Sequence, residues 1–266
     1  MIRSHFGIER HPFDTEGLAL LDHQQQIFDI LRVHCQQGGL CLVLGVPGTG
    51  KSVLKAAISA HDPKRVIAPV VNRTLHSYFN TIRILSQSFG IDFDGADLRC
   101  EKRLIEEAFR LNHLHKMIAP IIDDAHLMGI DCLRKLRLLF EDFPKNHNLI
   151  LFAQPELLAR ISLSVNADIQ SRVTYSAMLP KLVPDDIAAF VLAQLDRCGL
   201  GHNTFTEAAI NLVARSSEGI LRRARNLCLS ALIEAVRDRT RTVDLPQINR
   251  VLIQPHWRLE HDLVQG

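Results

Sequence analysis

The segment from residue 45 to residue 52 constrains the fold of this chain more than any other. It reads Gly-Val-Pro-Gly-Thr-Gly-Lys-Ser, which fits the pattern G-x-x-x-x-G-K-[ST] at every fixed position. An apolar run at residues 40–44 precedes it, and residues 53–60 have helical character. A glycine turn with a solvated lysine would explain the spacing alone, but not the strand and helix on either side. The sequence therefore predicts a strand, a phosphate-binding loop and a helix.

Each part of this loop has an expected role. The glycines let successive backbone N–H groups point at an anion, and the amino end of the helix adds partial positive charge. Lys51 is expected to reach the β- and γ-phosphates of ATP, and Ser52 to coordinate Mg²⁺. The predicted nucleotide-binding residues are Gly45, Val46, Pro47, Gly48, Thr49, Gly50, Lys51, Ser52 and Val53.

A second landmark lies where an apolar run at residues 117–122 ends in Asp123 and Asp124. Alone, two aspartates after a strand could merely cap a turn or a helix. Downstream of a phosphate-binding loop they indicate a Walker B motif. Asp123 is then expected to hold Mg²⁺, directly or through water, and Asp124 to polarise the attacking water.

Strand and helix patterns alternate along the first 180 residues. Further strands are predicted at residues 66–71, where Pro69 favours a sheet edge, at 148–155 and at 173–178. This alternation predicts an α/β fold, a parallel sheet flanked by helices with ligands at the carboxyl ends of the strands. The strand at 148–155 is expected beside the Walker B strand, so Gln154 could reach the γ-phosphate or its water.

Helical patterns make up the rest of the chain. Residues 97–116 predict a helix with Leu98, Leu104 and Leu111 among its inward residues. After Pro184 only helices are predicted, at 185–198, 206–215 (with Thr206 as N-cap), 219–237 and 245–252. We therefore predict a nucleotide-binding domain with an amino-terminal arm at residues 1–180, an all-helical lid domain at 181–253 and a tail at 254–266.

Composition narrows the functional classes. A formal net charge of +2 neither requires nor forbids nucleic acid. No apolar run approaches the roughly 20 residues that span a bilayer, and the first residues lack the apolar segment of a secretory signal. The six cysteines include no C-x-x-C pair, which predicts reduced thiols in a cytoplasmic protein and no cysteine-based metal site.

Several segments together resemble one family. The stretches GVPGTGKS, PIIDDAH, LILFAQPEL, QSRV and GILRRARNL, with the amino-terminal HFGIERHPF, resemble the ExeA-like branch of the AAA+ ATPases. That branch includes a secretion ATPase and many ATP-binding proteins encoded beside transposases, and it is similar to the transposition ATPases TniB, TnsC and IstB. The resemblance covers about residues 6–252. Its Walker motifs are general, whereas the Gln-Pro-Glu at 154–156 and the Gly-x-x-Arg-Arg at 219–223 are narrower.

The resemblance implies roles for three further catalytic residues. Gln154 looks like sensor 1, Arg222 like the sensor 2 arginine, and Arg172 like an arginine finger that serves the ATP of a neighbouring subunit. Arg160 is an alternative finger, and a surface ion pair is the alternative for each arginine. Most of the family has Glu where this chain has Asp124, which is one methylene shorter. Hydrolysis is therefore expected to be slow or partner-stimulated, with ATP binding intact.

The expected function is that of an ATPase that assembles with itself on duplex DNA, largely without sequence preference, and recruits or regulates a transposase. Arg73, Lys102 and Arg103 are the candidate phosphate contacts, with further arginines in the lid. Two alternatives remain. One is an ExeA-like secretion-pathway ATPase, which should carry a membrane segment and a cell-wall-binding region; the other is a nucleotide-switched interaction module with little hydrolysis.

Overall fold

The computed structural model describes residues 1–14, 17–72, 77–92 and 97–257. The strands are β1 Gly39–Leu44, β2 Val66–Ile67, β3 Val70–Val71, β4 Met117–Ile118, β5 Ile121–Ile122, β6 Asn148–Ala153 and β7 Val173–Met178. The helices are α1 Ile2–Phe6, α2 Asp22–Gln37, α3 Lys51–Ala60, α4 Tyr78–Ser88, α5 Asp97–His113, α6 Ile130–Glu141, α7 Glu156–Ile161, α8 Ala167–Gln170, α9 Pro184–Cys198, α10 Glu207–Ser216, α11 Leu221–Arg237 and α12 Leu245–Leu252. Within the described ranges, no helix has both the length and the apolarity needed to cross a membrane.

A parallel sheet in the order β3-β5-β6-β1-β7 forms the core. Because β1 and β6 are covered on both faces, they read as continuous apolar runs rather than as alternating patterns. Alternate residues of β1 point to opposite faces. Leu42 packs with α4, α5 and α6 on one face, and Val43 packs with α2 and α3 on the other. The predicted parallel sheet flanked by helices is confirmed.

Two prolines interrupt strands that the sequence predicted as continuous. Pro69 separates β2 from β3, and Pro120 separates β4 from β5. The pairings of β2 with β4 and of β3 with β5 keep one register across the gap. Proline has no backbone N–H to donate to the ladder, but its carbonyl still accepts, as that of Pro120 does from Ile150 N at 2.9 Å. As Pro69 predicted, β3 lies at the sheet edge.

The helix predicted at residues 97–116 ends earlier and faces the core differently. It ends at His113, and Leu98, predicted to face inward, is 80% exposed. Leu104 and Leu111 are buried on one stripe. Leu98 lies six residues before Leu104, which turns it about 120° away from that stripe.

The chain divides into two compact units, one of Ala19–Pro47 and Lys51–Leu179, the other of Met1–Leu18, Gly48–Gly50 and Pro180–Gly266. The second unit contains α1 and α9 to α12. Thr206 is the N-cap of α10, accepting from Ala209 N at 3.2 Å. One isolated parallel bridge, between Phe205 and Val243, was not predicted. The functional division into nucleotide-binding domain, lid and tail stays a prediction, and the sequence had placed residues 1–18 and 48–50 with the former.

The cysteines with described side chains lie in the interior. Cys41, Cys100, Cys132, Cys198 and Cys228 are all buried and form no disulfide bond with one another. Burial raises the pKa of the Cys132 thiol to about 11. This thiol therefore stays protonated, and a poor nucleophile, at neutral pH.

Candidate nucleotide-binding site

The predicted site residues follow neighbouring strands at one edge of the sheet. Gly45 follows β1, Gln154 follows β6 and Asp123 follows β5. The backbone N–H of Gly45 donates to the carbonyl of Ala153 at 3.1 Å, which extends the β1–β6 ladder by one step. Adjacent strands lie about 4.8 Å apart, so residues at their ends stand side by side. The sheet therefore brings together the start of the phosphate-binding loop, the Walker B carboxylate and the Gln154 amide.

The loop between β1 and α3 has a backbone that its glycines permit. Gly48 has φ 90° and Gly50 has φ 98°, values that side chains disfavour. At Gly48 a Cβ would lie 2.8 Å from Cβ of Arg222 and 2.8 Å from Cγ2 of Ile220, so there is room only for glycine. The helix α3 begins at Lys51, and its first N–H groups have no partners within the helix. Such a loop and helix start suit an anion.

Lys51 folds over its own loop. Its ammonium donates to the carbonyl of Gly45 and, at 3.1 Å, to the carbonyl of Val46. These contacts keep the positive charge at the loop itself. The neighbouring Ser52 is exposed, so its hydroxyl is accessible.

Both oxygens of the Asp123 carboxylate have partners. Oδ2 accepts from Nζ of Lys55 at 2.5 Å, and Oδ1 accepts from the backbone N–H of Asp124 at 3.1 Å. The Lys55 ammonium also donates to Oδ1 of Asn72 at 3.0 Å. Sequence reasoning missed Lys55 and Asn72. The available signals were a second lysine one helical turn after Lys51, and an amide directly after β3.

Asp124 adopts a left-handed backbone conformation. Its φ is 50° and its ψ is 37°, and it caps the short 3₁₀ turn Ala125–Leu127. Asp and Asn are several-fold enriched in this region among residues with a side chain, because a short polar side chain can satisfy nearby backbone groups. The side chain is exposed. Local geometry therefore favours Asp over the Glu that the resembled family has here.

Gln154 meets a histidine that the sequence analysis did not assign to the site. Its Nε2 lies 2.8 Å from Nε2 of His126, which belongs to the 3₁₀ turn after Asp124. Arg160 fixes the same turn, since its guanidinium donates to the carbonyl of His126 at 2.7 Å and to that of Met128 at 2.8 Å. Arg160, the alternative arginine finger, thus has partners within its own chain.

Arg172 lies at the opposite end of the sheet. It immediately precedes β7, whose first residue, Val173, pairs with Leu40 near the start of β1. At about 3.3 Å per residue, the length of β1 separates this end from the loop by about 20 Å. The Arg172 guanidinium forms an ion pair with Glu141 at 3.0 Å and is 60% exposed. The structure does not bring Arg172 to its own chain's loop.

Arg222 belongs to the second unit, as does Gly48. Its backbone N–H donates to the carbonyl of Gly48 at 3.1 Å, and its side chain is exposed. This contact joins the start of α11 to a loop glycine. The sensor role of the guanidinium stays a prediction.

The residues present fit a magnesium ion that is bound together with phosphates. The Ser52 hydroxyl and the Asp123 carboxylate are hard oxygen donors, and Mg²⁺ is typically held by one or two protein oxygens plus phosphates and waters. Among the described residues, no group of three or more His, Cys, Asp and Glu side chains could hold a metal. Ser52 and Asp123 would therefore hold the ion only with the help of phosphate oxygens.

Comparisons with other sequences agree with this geometry. Residues 33–161 match the model of a protein family described as AAA domain. Over 246 residues the chain is 26% identical to general secretion pathway protein A from Aeromonas hydrophila, in an alignment that covers 88% of this chain and 45% of that protein. The chain thus spans less than half the length of this relative.

Solved structures show the same fold. The Aeropyrum pernix ORC2 protein, solved as ADPNP–ADP complexes, matches with a TM-score of 0.72 at 16% identity, over 94% of this chain and 73% of that chain. A chain of Drosophila ORC bound to DNA matches with a TM-score of 0.66 at 18% identity, over 100% of this chain and 67% of that chain. The fold is therefore that of the P-loop AAA+ ATPases, as predicted.

Replacing Arg160 by alanine should loosen the turn between Asp124 and Met128. The change leaves the carbonyls of His126 and Met128 without their charged donor, so we expect the free energy of unfolding to fall by about 2–3 kcal/mol. Arg83→Ala, on the exposed face of α4, is the matched control and should change stability by less than about 0.5 kcal/mol. Urea denaturation followed by circular dichroism measures both, and equal effects would contradict this role of Arg160.

Proposed function

We propose that this chain is an AAA+ ATPase that binds ATP with Mg²⁺, assembles with itself on duplex DNA and, in that form, recruits or regulates a transposase. The observation that carries the proposal is the convergence of the phosphate-binding loop, Asp123 and Gln154 at the ends of three neighbouring strands. The DNA and assembly roles are supported by basic residues described below. The transposase role is supported by the sequence resemblance alone.

The nucleotide site has a plausible charge arrangement for ATP. Phosphate oxygens would replace the carbonyls of Gly45 and Val46 as partners of Lys51, and charge-assisted hydrogen bonds of this kind are the stronger ones. Ser52 and Asp123 would hold Mg²⁺, which supplies charge compensation for the β- and γ-phosphates. Gln154 would hold the γ-phosphate or its water, with its amide oriented by His126.

Asp124 is the proposed residue that polarises the attacking water. Its carboxylate is one methylene shorter than that of Glu, and its left-handed backbone restricts where the side chain can point. Because misplacement by about 1 Å can reduce a rate about a hundredfold, we propose slow hydrolysis that a partner accelerates. The chain would then spend most of its time in the ATP-bound form.

Contacts with DNA are proposed for exposed basic residues. Lys102 and Arg103 lie on α5; the Lys102 side chain is 78% exposed and only 3.9 Å from Glu106, an ion pair of little strength. Arg239 and Arg241 are exposed after α11. Arg73, also predicted to contact DNA, lies outside the described residues. Lysines and arginines of this kind contact phosphates, so the proposed binding has little sequence preference.

Assembly follows from the position of Arg172. At about 20 Å from its own loop, this arginine can compensate the charge of a γ-phosphate only on another copy of the chain. We propose that ATP and DNA favour the oligomer in which this contact forms. In this proposal, residues 1–180 form the nucleotide-binding domain, residues 181–253 a lid that carries Arg222, and residues 254–266 a tail.

A second candidate function has specific support. The similarity to general secretion pathway protein A favours a secretion-pathway ATPase, which would use the same nucleotide site without DNA. The nucleotide-switched module is a third possibility if Asp124 supports no turnover. DNA binding therefore separates the first function from the second, and turnover separates both from the third.

Lys51→Ala should abolish ATP binding, because it removes the positive charge that meets the β- and γ-phosphates. We expect the affinity for a fluorescent ATP analogue to fall at least a hundredfold, on the order of the 3 kcal/mol of a lost charged hydrogen bond. Lys64→Ala, which removes an exposed lysine after α3, is the control and should bind normally. Unchanged affinity in the Lys51 variant would refute the proposed pocket.

Duplex DNA should be retained by the protein with ATP and should stimulate hydrolysis. Changing Lys102 and Arg103 together to alanine removes two phosphate contacts, so the slope of log affinity against log salt should fall by about 1.8. The control is the exposed pair Lys64 and Arg65, changed in the same way. If the wild-type protein retains no duplex DNA even at low salt, the secretion alternative gains and the transposition proposal loses its main support.

Hydrolysis per subunit should rise with protein concentration, because Arg172 completes a site on another copy. Arg172→Ala should bind ATP normally but lose this dependence. Mixing it with Lys51→Ala should restore activity, since the Lys51 variant still supplies Arg172. The control mixture replaces Lys51→Ala by the variant with both changes, which should restore nothing; recovery there, or none in the first mixture, would refute the shared site.

A further inference from the structure

A lysine outside the phosphate-binding pattern holds the Walker B carboxylate. Lys55 follows Lys51 by four residues, so both side chains lie on the same face of α3. The Lys55 ammonium is 2.5 Å from Oδ2 of Asp123, and the two side chains are only 17% and 22% exposed. A pair this sheltered is screened less by water and salt than an exposed one. The contact is therefore more than a passing surface ion pair.

Lys55 offsets one of two adjacent negative charges. Asp123 and Asp124 follow the same strand, and only the first is paired with this lysine. Asp123 is also the proposed magnesium ligand. An ammonium and a metal ion that share one carboxylate repel each other, so they compete for it.

Asn72 gives the lysine a second place to bind. Its Oδ1 accepts from the Lys55 ammonium at 3.0 Å, and Asn72 follows β3, the strand beside β5. An ammonium that leaves Asp123 can keep this neutral acceptor. Releasing the carboxylate therefore does not require Lys55 to lose all its partners.

We propose that Lys55 is the built-in counter-ion of Asp123 and makes metal binding depend on nucleotide. Lys55 neutralises Asp123 until phosphates bring further oxygen ligands and negative charge to the site. The ammonium then leaves Asp123 for Asn72 and the phosphates. This positioning role rests on the proposed nucleotide site, but its first consequence can be measured with the metal alone.

The test compares Mn²⁺ binding to the nucleotide-free protein by electron paramagnetic resonance in wild type and Lys55→Met. Removing the ammonium should raise the Mn²⁺ affinity on the order of tenfold, because a nearby positive charge no longer opposes the ion. Lys55→Arg keeps the charge and should retain wild-type affinity. Lys64→Met, an exposed lysine lost from the same unit, should also match wild type.

A second measurement follows the binding of a fluorescent ATP analogue at increasing Mg²⁺. In Lys55→Met the half-saturating Mg²⁺ concentration should fall by a similar factor, while binding in EDTA should change less than about twofold. Lys55→Gln serves in both measurements if circular dichroism shows that the methionine variant is unfolded.

Unchanged or weaker Mn²⁺ affinity in the neutral variants would overturn the inference, as would equal gains in Lys64→Met. If nucleotide binds and its Mg²⁺ dependence is the same in all variants, this inference fails while the proposed function stands. If the Mn²⁺ effect is found but no variant or wild-type protein binds nucleotide, the proposed function fails and the competition at Asp123 stands.

Discussion

The parallel pairing of β5, β6 and β1 is the constraint on which the rest of the structure depends. Each strand is too short or too apolar to carry a site alone, and the chemistry lies in the residues that follow the strands. Because β1 and β6 are buried on both faces, sliding one past the other would lose matched packing along the whole strand. The register that pairs Leu44 with Ala153 therefore also sets the distance between the phosphate-binding loop and Gln154.

The parts of the site that the sequence predicts are those with a local signal. The phosphate-binding loop, β7 at residues 173–178 and the N-cap at Thr206 each depend on neighbours within a few residues, and the structure has them at these positions. The interruptions at Pro69 and Pro120 also have a local cause. Their shared position in one ladder is visible only once the two strands are paired.

The parts that the sequence does not predict are contacts between distant segments. Lys55 and Asp123 are 68 residues apart, and Arg160 is 34 residues from His126. Any of several lysines or arginines could have met these groups, since a charge pattern alone does not choose a partner. The strand order chooses it, because β3 and β5 bring Asn72 and Asp123 together and α3 then extends Lys55 over them. Leu98 fails for the related reason that apolar character does not state which side of a helix is covered.

The polar groups of the candidate site share one property, which is that each already has a partner in the same chain. Lys51 binds loop carbonyls, Lys55 binds Asp123, and Gln154 binds His126. A ligand that enters must exchange these contacts, so its net gain is the difference between two sets of hydrogen bonds. For Lys51 the exchange is from neutral carbonyls to charged phosphates and is favourable. For Asp123 it is from one cation to another, which is nearly balanced unless phosphates tip it. The site as built therefore favours nucleotide and metal together over either one alone.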